Sequence, residues 1–382
     1  MGEGPLANDT MELSLNFTLW NLLIGIFLIV GSTFGLLLFF TKRKNRAANK
    51  FMAFVVMAIS LWLAWVFLSD IGLLEYYPKI TWFPITTYLL CIGPALYFYV
   101  VKLIDPSFGF QPKHYLHFSP FLLEMAFHIV QVLESHSTGK PIHQTQAFIM
   151  IGPFFQLLAI LSIAVYVRLS ILKIKDFTQL LAENYSNSDK YKLVWLKRLI
   201  LFFGLMWILW LPYTFVDFFF FDYELDFRQY YPLYLLMGVV ALLMGIEVFL
   251  RPEYVLLEMK PNTEKKAIDG LDQKVDWLKT EIERNLYYLN PELTLNSLAE
   301  QLELHPNLLS RIINEGSGKN FSDFINEYRV ATVIEKINNK AYDHITLVGI
   351  AHESGFNSKT SFYRTFKKFT DKTPSEYLKQ KG

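Results

Sequence analysis

The sequence has one cysteine, little charge and no Lys or Arg in its first 41 positions. The single thiol, Cys91, excludes an intramolecular disulfide and any metal site built from several cysteines. Charged residues make up 19% of the 382 residues and hydrophobic residues 52%, against roughly 25% charged in ordinary soluble proteins. Because a secretory signal peptide begins with basic residues, we do not expect residues 1–41 to be one.

The charge is unevenly distributed along the chain. Nearly all the long apolar runs precede Leu257, and most of the dense charge follows it. This asymmetry is typical of a membrane-embedded half joined to a soluble half. We therefore predict a membrane domain over residues 1–255, a linker over 256–277 and a soluble domain over 278–382.

Seven segments are apolar enough to cross a bilayer, which takes about 20 helical residues. The fourth contains several polar residues, and an alternative interpretation omits it and leaves six spans. The seven segments are Trp20–Phe40, Phe51–Leu68, Phe83–Val101, Leu116–Leu133, Phe148–Val167, Leu199–Phe221 and Tyr231–Leu250.

The basic residues near the span ends favour seven spans over six. With seven spans and the N-terminus outside, the inner loops hold fourteen Lys and Arg residues and the outer loops three. Basic residues accumulate on the cytoplasmic side of a membrane protein. Six spans would place one of two basic clusters, at residues 42–50 or 190–198, outside. The predicted topology has the N-terminus outside and the C-terminal domain in the cytoplasm.

Three ionisable residues within the predicted spans are candidates for a ligand or proton site. Glu124 and His128 lie four residues apart and so share a helix face, and Asp217 lies near the outer end of the sixth span. Charge in hydrocarbon is costly, so these side chains should face the bundle interior. The alternative is hydrogen bonding between helices, which is the more common role. The outer segments are too short for a folded sensory domain, so an unknown small-molecule or lipophilic ligand would bind within the bundle, in the loops or from the bilayer.

A stripe of apolar residues at steps of three and four runs from the end of the linker into the soluble domain. It predicts either a short coiled coil that pairs two protomers of a homodimer or an amphipathic helix that packs on the core of the soluble domain. The second interpretation is favoured, because the stripe is shorter than three heptads. Its members are Leu271, Val275, Leu278, Ile282, Leu286 and Leu289.

Two stretches of the soluble half share one plan of a short helix, a tight turn and a second helix. Thr294, Thr346 and Ser358 are suited to cap helices, and Gly355 is suited to a left-handed turn. This plan, repeated about fifty residues apart, predicts two helix-turn-helix motifs in an all-α fold. The motifs occupy residues 294–302, 303–305 and 306–314, and then 346–353, 354–357 and 358–369.

Polar residues on the second helix of each motif are the candidates for contact with double-stranded DNA. A helix fits a major groove about 12 Å wide and presents its side chains to base edges. Arg311 and Arg364 are predicted to contact bases, Lys367 and Lys368 to contact phosphates, and Arg329 to bond within the domain. The ten candidates for DNA contact are Asn307, Ser310, Arg311, Ser358, Lys359, Thr360, Ser361, Arg364, Lys367 and Lys368, and all of these except Ser358, Lys367 and Lys368 are predicted from the helix pattern to face outward.

The C-terminal region resembles the DNA-binding domain of the AraC/XylS family of bacterial transcription activators. The resemblance covers roughly residues 278–381 and is strongest in Ile350-Ala-His-Glu-Ser-Gly-Phe-Asn-Ser-Lys-Thr-Ser-Phe-Tyr-Arg-Thr-Phe-Lys-Lys-Phe369, followed by Thr373-Pro-Ser-Glu-Tyr377. The whole arrangement is similar to membrane-bound members of that family with a seven-helix membrane domain. The resemblance implies promoter binding through two successive major grooves, a location in the bacterial inner membrane, and no cofactor.

The first motif departs from the family pattern. Ile313-Asn314 stands where the family usually has Phe-Lys, and His305 replaces the usual Ser cap. Residues 280–343 hold six basic and ten acidic side chains, whereas residues 344–382 hold seven basic and three acidic ones. We therefore expect the second motif to supply most of the electrostatic attraction to DNA.

Three functions are consistent with this organisation. The favoured one is a one-component sensor in which the membrane domain controls promoter binding. The second is a transporter or membrane enzyme whose state the helix-turn-helix domain reports. The third is a soluble domain that binds protein instead of DNA. No phosphate-binding glycine loop, metal-ligand cluster or nucleophile–base pair is evident, so we do not expect an enzyme.

Overall fold

The computed structural model describes residues 15–42, 45–83, 88–221, 227–251, 268–339 and 344–380. These ranges contain sixteen α-helices and no β-strand, so the predicted all-α fold class is confirmed. The chain divides into two compact units. Unit 1 comprises residues 1–174 and 194–253, and unit 2 comprises residues 175–193 and 254–382.

The helices of unit 1 are numbered α1 to α9 in chain order. The helix α7 starts in unit 1 and ends in unit 2, because residues 175–193 belong to unit 2. The nine helices are α1 (Leu19–Phe40), α2 (Arg46–Asp70), α3 (Leu73–Tyr76), α4 (Leu89–Ile104), α5 (Pro112–Tyr115), α6 (Pro120–Thr138), α7 (Gln146–Asn184), α8 (Val194–Phe220) and α9 (Tyr231–Leu250).

Close packing of α1 against α2 and α9 forms much of the core of unit 1. The helix α1 begins at Leu19 because the Thr18 hydroxyl accepts from the Asn21 amide and the Asn21 side chain accepts from the Thr18 amide. A Cβ atom on Gly31 would lie 2.5 Å from the Ser60 hydroxyl. Small residues at such positions let apolar helices approach closely, which is how helices associate in lipid.

Five helices of the described ranges are long and apolar enough to cross a bilayer: α1, α2, α7, α8 and the helical stretch that ends with α9. A sixth span results if residues 112–118 and α6, which are bent by 40° relative to each other, are counted together. The helix α4 is apolar but has only 16 residues. It corresponds to the third predicted span, of which residues 84–87 lie outside the described ranges. The count of seven spans therefore stays a prediction.

Within its described residues, unit 2 comprises the end of α7 and seven further helices. They are α10 (Leu271–Asn285), α11 (Leu295–Gln301), α12 (Pro306–Ser317), α13 (Phe321–Asn338), α14 (Leu347–Glu353), α15 (Lys359–Thr370) and α16 (Pro374–Lys379).

Unit 2 has two apolar clusters, and α13 belongs to both. Phe321, Phe324 and Ile325 of its first half are buried with α10, α11 and α12. Val330 and Val333 of its second half are buried with α14 and α15. The helix α13 thus connects the two motifs rigidly, since its opposite ends are fixed in different cores.

The apolar stripe of α10 packs inside unit 2. Val275, Leu278 and Ile282 are buried against residues of α12 and α13, as the amphipathic interpretation predicted. The coiled-coil interpretation is wrong for these three residues, because a side chain buried in its own domain is unavailable to a second protomer.

Candidate nucleic-acid interface

The first motif is formed by α11 and α12. The Thr294 hydroxyl accepts a hydrogen bond from the Ser297 amide at 3.1 Å and so starts α11. The His305 Nδ1 atom accepts from the Asn307 amide at 3.3 Å, which caps α12, and Pro306 occupies the first helical position. The imidazole therefore takes the capping role that the family usually gives to serine.

The second motif is formed by α14 and α15, and its predicted caps are confirmed. Thr346 accepts from the Gly349 amide at 3.1 Å, and Ser358 accepts from the Ser361 amide at 3.1 Å. Between the helices, Gly355 has a φ of +90°, and a Cβ atom there would lie 2.3 Å from the Tyr288 carbonyl oxygen. Both the conformation and the close approach require glycine at this turn.

The helix α15 has one apolar and one basic face. Phe362 and Phe366 are fully buried, and the Phe366 ring packs edge-on against the Tyr377 ring. The opposite face is exposed and basic, and six of the seven predicted contact residues of this motif are exposed on it. These six are Ser358, Lys359, Thr360, Arg364, Lys367 and Lys368.

Three predicted outward orientations are wrong. Ser310 and Arg311 of α12 and Ser361 of α15 are buried. The helix α12 packs against α10, α11 and α13, which covers more of its surface than one stripe would. The Arg311 side chain is only 10% exposed and its Nε atom donates to Glu315 Oε1 at 2.9 Å, which lowers the pKa of Glu315. Asn307, at the start of α12, is half-buried.

The Arg329 guanidinium lies at the junction of the two motifs, and its predicted internal role is confirmed. It is 1% exposed and donates to the Tyr288 and Asn290 carbonyl oxygens at 2.7 Å each. It also lies 6.0 Å from the centre of the Phe356 ring. Burial lowers the pKa of Arg329 to about 9, so the side chain stays charged at neutral pH.

Residues 185–192 pack on both motifs, although neither periodicity nor a motif marks them in the sequence. The sequence predicts only that they belong to a basic inner loop. Ser186 is 1% exposed and its hydroxyl accepts from Arg329 Nη2 at 3.0 Å. Asp189 forms an ion pair with Arg364. The residue predicted to contact a base thus already has an acidic partner in the chain.

The three ionisable residues predicted to form a ligand site each have a partner within unit 1. Glu124 accepts from the Leu89 and Leu90 amides at 3.1 Å each, at the first residues of α4. His128 Nε2 lies 3.0 Å from the Trp82 carbonyl oxygen. Asp217 accepts from the Tyr230 hydroxyl at 2.6 Å. These contacts favour the interpretation as hydrogen bonds between structural elements, and the ligand site stays a prediction.

The helix pairs α11–α12 and α14–α15 are joined by the connecting helix α13. This arrangement defines a double helix-turn-helix domain. Residues 298–380 match the family described as "Helix-turn-helix domain". The resemblance of the C-terminal region to AraC-type helix-turn-helix domains is therefore confirmed.

Curated relatives share this region. An HTH-type transcriptional regulator of Staphylococcus aureus strain MSSA476 is 33% identical over 109 residues, which are 28% of this chain and 13% of that protein. The HTH-type regulator YtdP of Bacillus subtilis is 32% identical over 90 residues, 24% of this chain and 11% of that protein. The HTH-type regulator YijO of Escherichia coli is 33% identical over 88 residues, 23% of this chain and 30% of that protein.

The matches concern only a part of each protein. The chain spans about an eighth of the length of the Staphylococcus aureus relative that it matches. No solved structure matches the chain.

Proposed function

We propose that the protein is a membrane-tethered, sequence-specific transcription regulator whose C-terminal domain binds promoter DNA. The observation that supports this most is the basic outer face of α15, held in position by Phe362 and Phe366 on its inner face. A capped helix with a buried stripe and an exposed basic face has the shape and charge that a major groove accepts.

The two motifs contribute unequally to the proposed interface. We expect the exposed Lys359, Thr360 and Arg364 to contact bases, and the exposed Lys367 and Lys368 to contact phosphates. The helix α12 contributes mainly through its first turn at Asn307, because Ser310 and Arg311 are buried. The excess of basic over acidic residues after position 344 supports the same division.

The membrane part of the proposal rests on composition and helix length. Five or six helices of the described ranges are suited to cross a bilayer, and the positive-inside distribution places the C-terminal domain in the cytoplasm. We infer that unit 1 detects a signal from the membrane or from outside and passes it to the DNA-binding domain. This makes the protein a one-component sensor of the bacterial inner membrane.

The test begins with the full chain in cells. Bound chromosomal sites are mapped, and the recovered duplex is titrated against the purified chain in lipid nanodiscs. We expect preference for this duplex over a scrambled one and a loss of that preference in Arg364→Ala. The matched control is Arg284→Ala, an exposed arginine of α10 outside the proposed interface.

Two results would contradict the proposal. One is equal affinity for the recovered and scrambled duplexes. The other is an affinity that does not fall as salt rises, because every phosphate contact releases counterions. Binding that is insensitive to salt would support a protein partner for the C-terminal domain.

A further inference from the structure

Residues 185–192, here called the docked segment, follow α7 directly and are fixed to the first motif by backbone contacts. Tyr185 forms an isolated antiparallel bridge with Thr294, the residue that caps α11. The Ser186 amide and hydroxyl both donate to the Leu293 carbonyl oxygen, at 3.2 and 2.7 Å. The docked segment is thus tied to the residues just before α11 by one backbone bridge and by the Ser186 hydroxyl.

Ser186 also bonds to three residues of the connecting helix α13. Its carbonyl oxygen accepts from the Ser322 hydroxyl and from Asn326 Nδ2 at 3.1 Å each. Its hydroxyl accepts from Arg329 Nη2 at 3.0 Å. Ser186 is only 1% exposed, and its polar groups are hydrogen-bonded inside the domain. Because buried polar groups without partners are costly, these bonds indicate a specific binding position for Ser186.

Beyond Ser186, the docked segment reaches the second motif. Asn187 contacts the side chain of Asn357, the last residue of the turn before α15. Asp189, at 16% side-chain exposure, pairs with Arg364 and also accepts from Lys192 Nζ at 2.7 Å. One carboxylate therefore lies against the basic face of the proposed recognition helix.

We propose that the docked segment is an internal partner of the DNA-binding domain and that it competes with DNA for Arg364. A guanidinium that is paired with the Asp189 carboxylate cannot offer the same donors to a base or phosphate. Promoter binding therefore requires the docked segment to leave Arg364. This inference rests on the proposed function.

The position of the docked segment in the chain supplies a route for the signal. Residues 185–192 directly link α7 and α8, two of the helices long and apolar enough to cross a bilayer. A signal that shifts these helices acts on the docked segment through the covalent chain. Because binding equilibria are reciprocal, DNA that displaces the docked segment also favours the shifted arrangement of the helices.

The first test changes the Asp189 charge in the full chain. In Asp189→Asn, the affinity of nanodisc-held protein for the promoter duplex should rise about two- to fivefold, the effect of one partly exposed ion pair. The matched control is Asp176→Asn, which removes the same charge from an exposed position of unit 2. Unchanged or weaker binding by Asp189→Asn, or an equal rise in the control, would overturn the competition.

The second test locks the contact covalently. Cys91 is the only cysteine of the chain, so Asn187→Cys and Asn357→Cys can be paired in a Cys91→Ser background. Oxidation should join them and reduce duplex affinity about tenfold or more, and reductant should restore it. Oxidised variants with one of the two new cysteines are the control and should bind duplex normally.

The outcomes separate the inference from the proposed function. If no disulfide forms between the two new cysteines, the docked segment does not lie against the second motif, and the inference is wrong. If the bond forms and affinity is unchanged, docking is real but competition is absent. If wild type, Asp189→Asn and the reduced pair all bind no duplex, the proposed function itself has failed.

Discussion

The Ser186 hydroxyl accepts a hydrogen bond from the Arg329 guanidinium at 3.0 Å, across 143 positions of sequence. The same guanidinium holds the turn at Tyr288–Asn290 and lies beside Phe356 of the second motif. Arg329 therefore joins three separate segments: the turn before the first motif, the second motif and the segment between α7 and α8. A fully buried arginine is stable there because each segment offers oxygen acceptors or an aromatic face.

Arg329→Ala should destabilise unit 2 by about 3 kcal/mol or more, because it removes a buried guanidinium that donates to the Tyr288 carbonyl oxygen, the Asn290 carbonyl oxygen and the Ser186 hydroxyl. The measurement is hydrogen exchange of α13 in the full chain, which reports the free energy of opening. Arg284→Ala is the control, since that side chain is 68% exposed, and should change the free energy by less than about 0.5 kcal/mol. Equal losses in both variants would contradict a special role for Arg329.

Gly355→Ala should cost about 3 kcal/mol, because it combines a left-handed backbone with overpacking. The new Cβ would lie 2.3 Å from the Tyr288 carbonyl oxygen and 2.9 Å from Arg329 Nε. Gly318→Ala is the matched control, with a φ of +68° and no atom within 4 Å of the new Cβ. It should cost only the conformational term, about 1 kcal/mol.

The unfolding free energies of the two glycine variants are compared by thermal unfolding of unit 2, which is monitored by hydrogen exchange of α14 and α15. A difference of about 2 kcal/mol is the expected result of the close approach alone. If Gly355→Ala were as stable as Gly318→Ala, the contact between the second motif and the Tyr288 turn would be absent in solution.

Local features of the site were predictable from sequence because their causes are local. Capping by Thr294, Thr346 and Ser358 depends on amides three residues away, and all three caps are present. The buried face of α10 was likewise predictable, because a stripe of apolar residues with a period of 3.6 indicates the buried side of a helix whatever it packs against.

Features set by distant contacts were not predictable. The burial of Arg311 depends on the packing of α10, α11 and α13 against α12, which the sequence of α12 does not encode. The buried position of Ser186 depends on hydrogen bonds to residues 107 to 143 positions away in sequence. With one sequence, neither periodicity nor charge marks such a contact, so residues 185–192 were assigned to a loop.

Lys367→Ala should weaken duplex binding uniformly across sequences and reduce the slope of log affinity against log salt by about 1. Arg364→Ala should instead reduce discrimination between the bound sequence and its variants by about 1–3 kcal/mol. Lys279→Ala, on the exposed side of α10, is the control for charge and should alter neither quantity. Equal effects of Lys367→Ala and Arg364→Ala on discrimination would contradict the division into phosphate and base contacts.

Glu124→Ala should destabilise unit 1 by about 1–2 kcal/mol, because its carboxylate accepts from the first two amides of α4. Glu134→Ala is the matched variant, since Glu134 accepts in the same way from the Gln146 and Ala147 amides at the start of α7. Thermal unfolding in detergent should show a shift of about 2–4 °C for each kcal/mol lost. Glu247→Ala, which breaks an exposed ion pair with Arg251, should lower the unfolding temperature by less.

Glu124→Gln distinguishes capping from a ligand or proton site. The amide oxygen of Gln can still accept from one of the two α4 amides, so a capping role predicts a loss of stability smaller than that of Glu124→Ala. A ligand or proton site predicts a different pattern, in which stability is kept and the change in promoter occupancy on signalling is lost. The two measurements, made on one variant, therefore assign Glu124 to the scaffold of unit 1 or to its sensor.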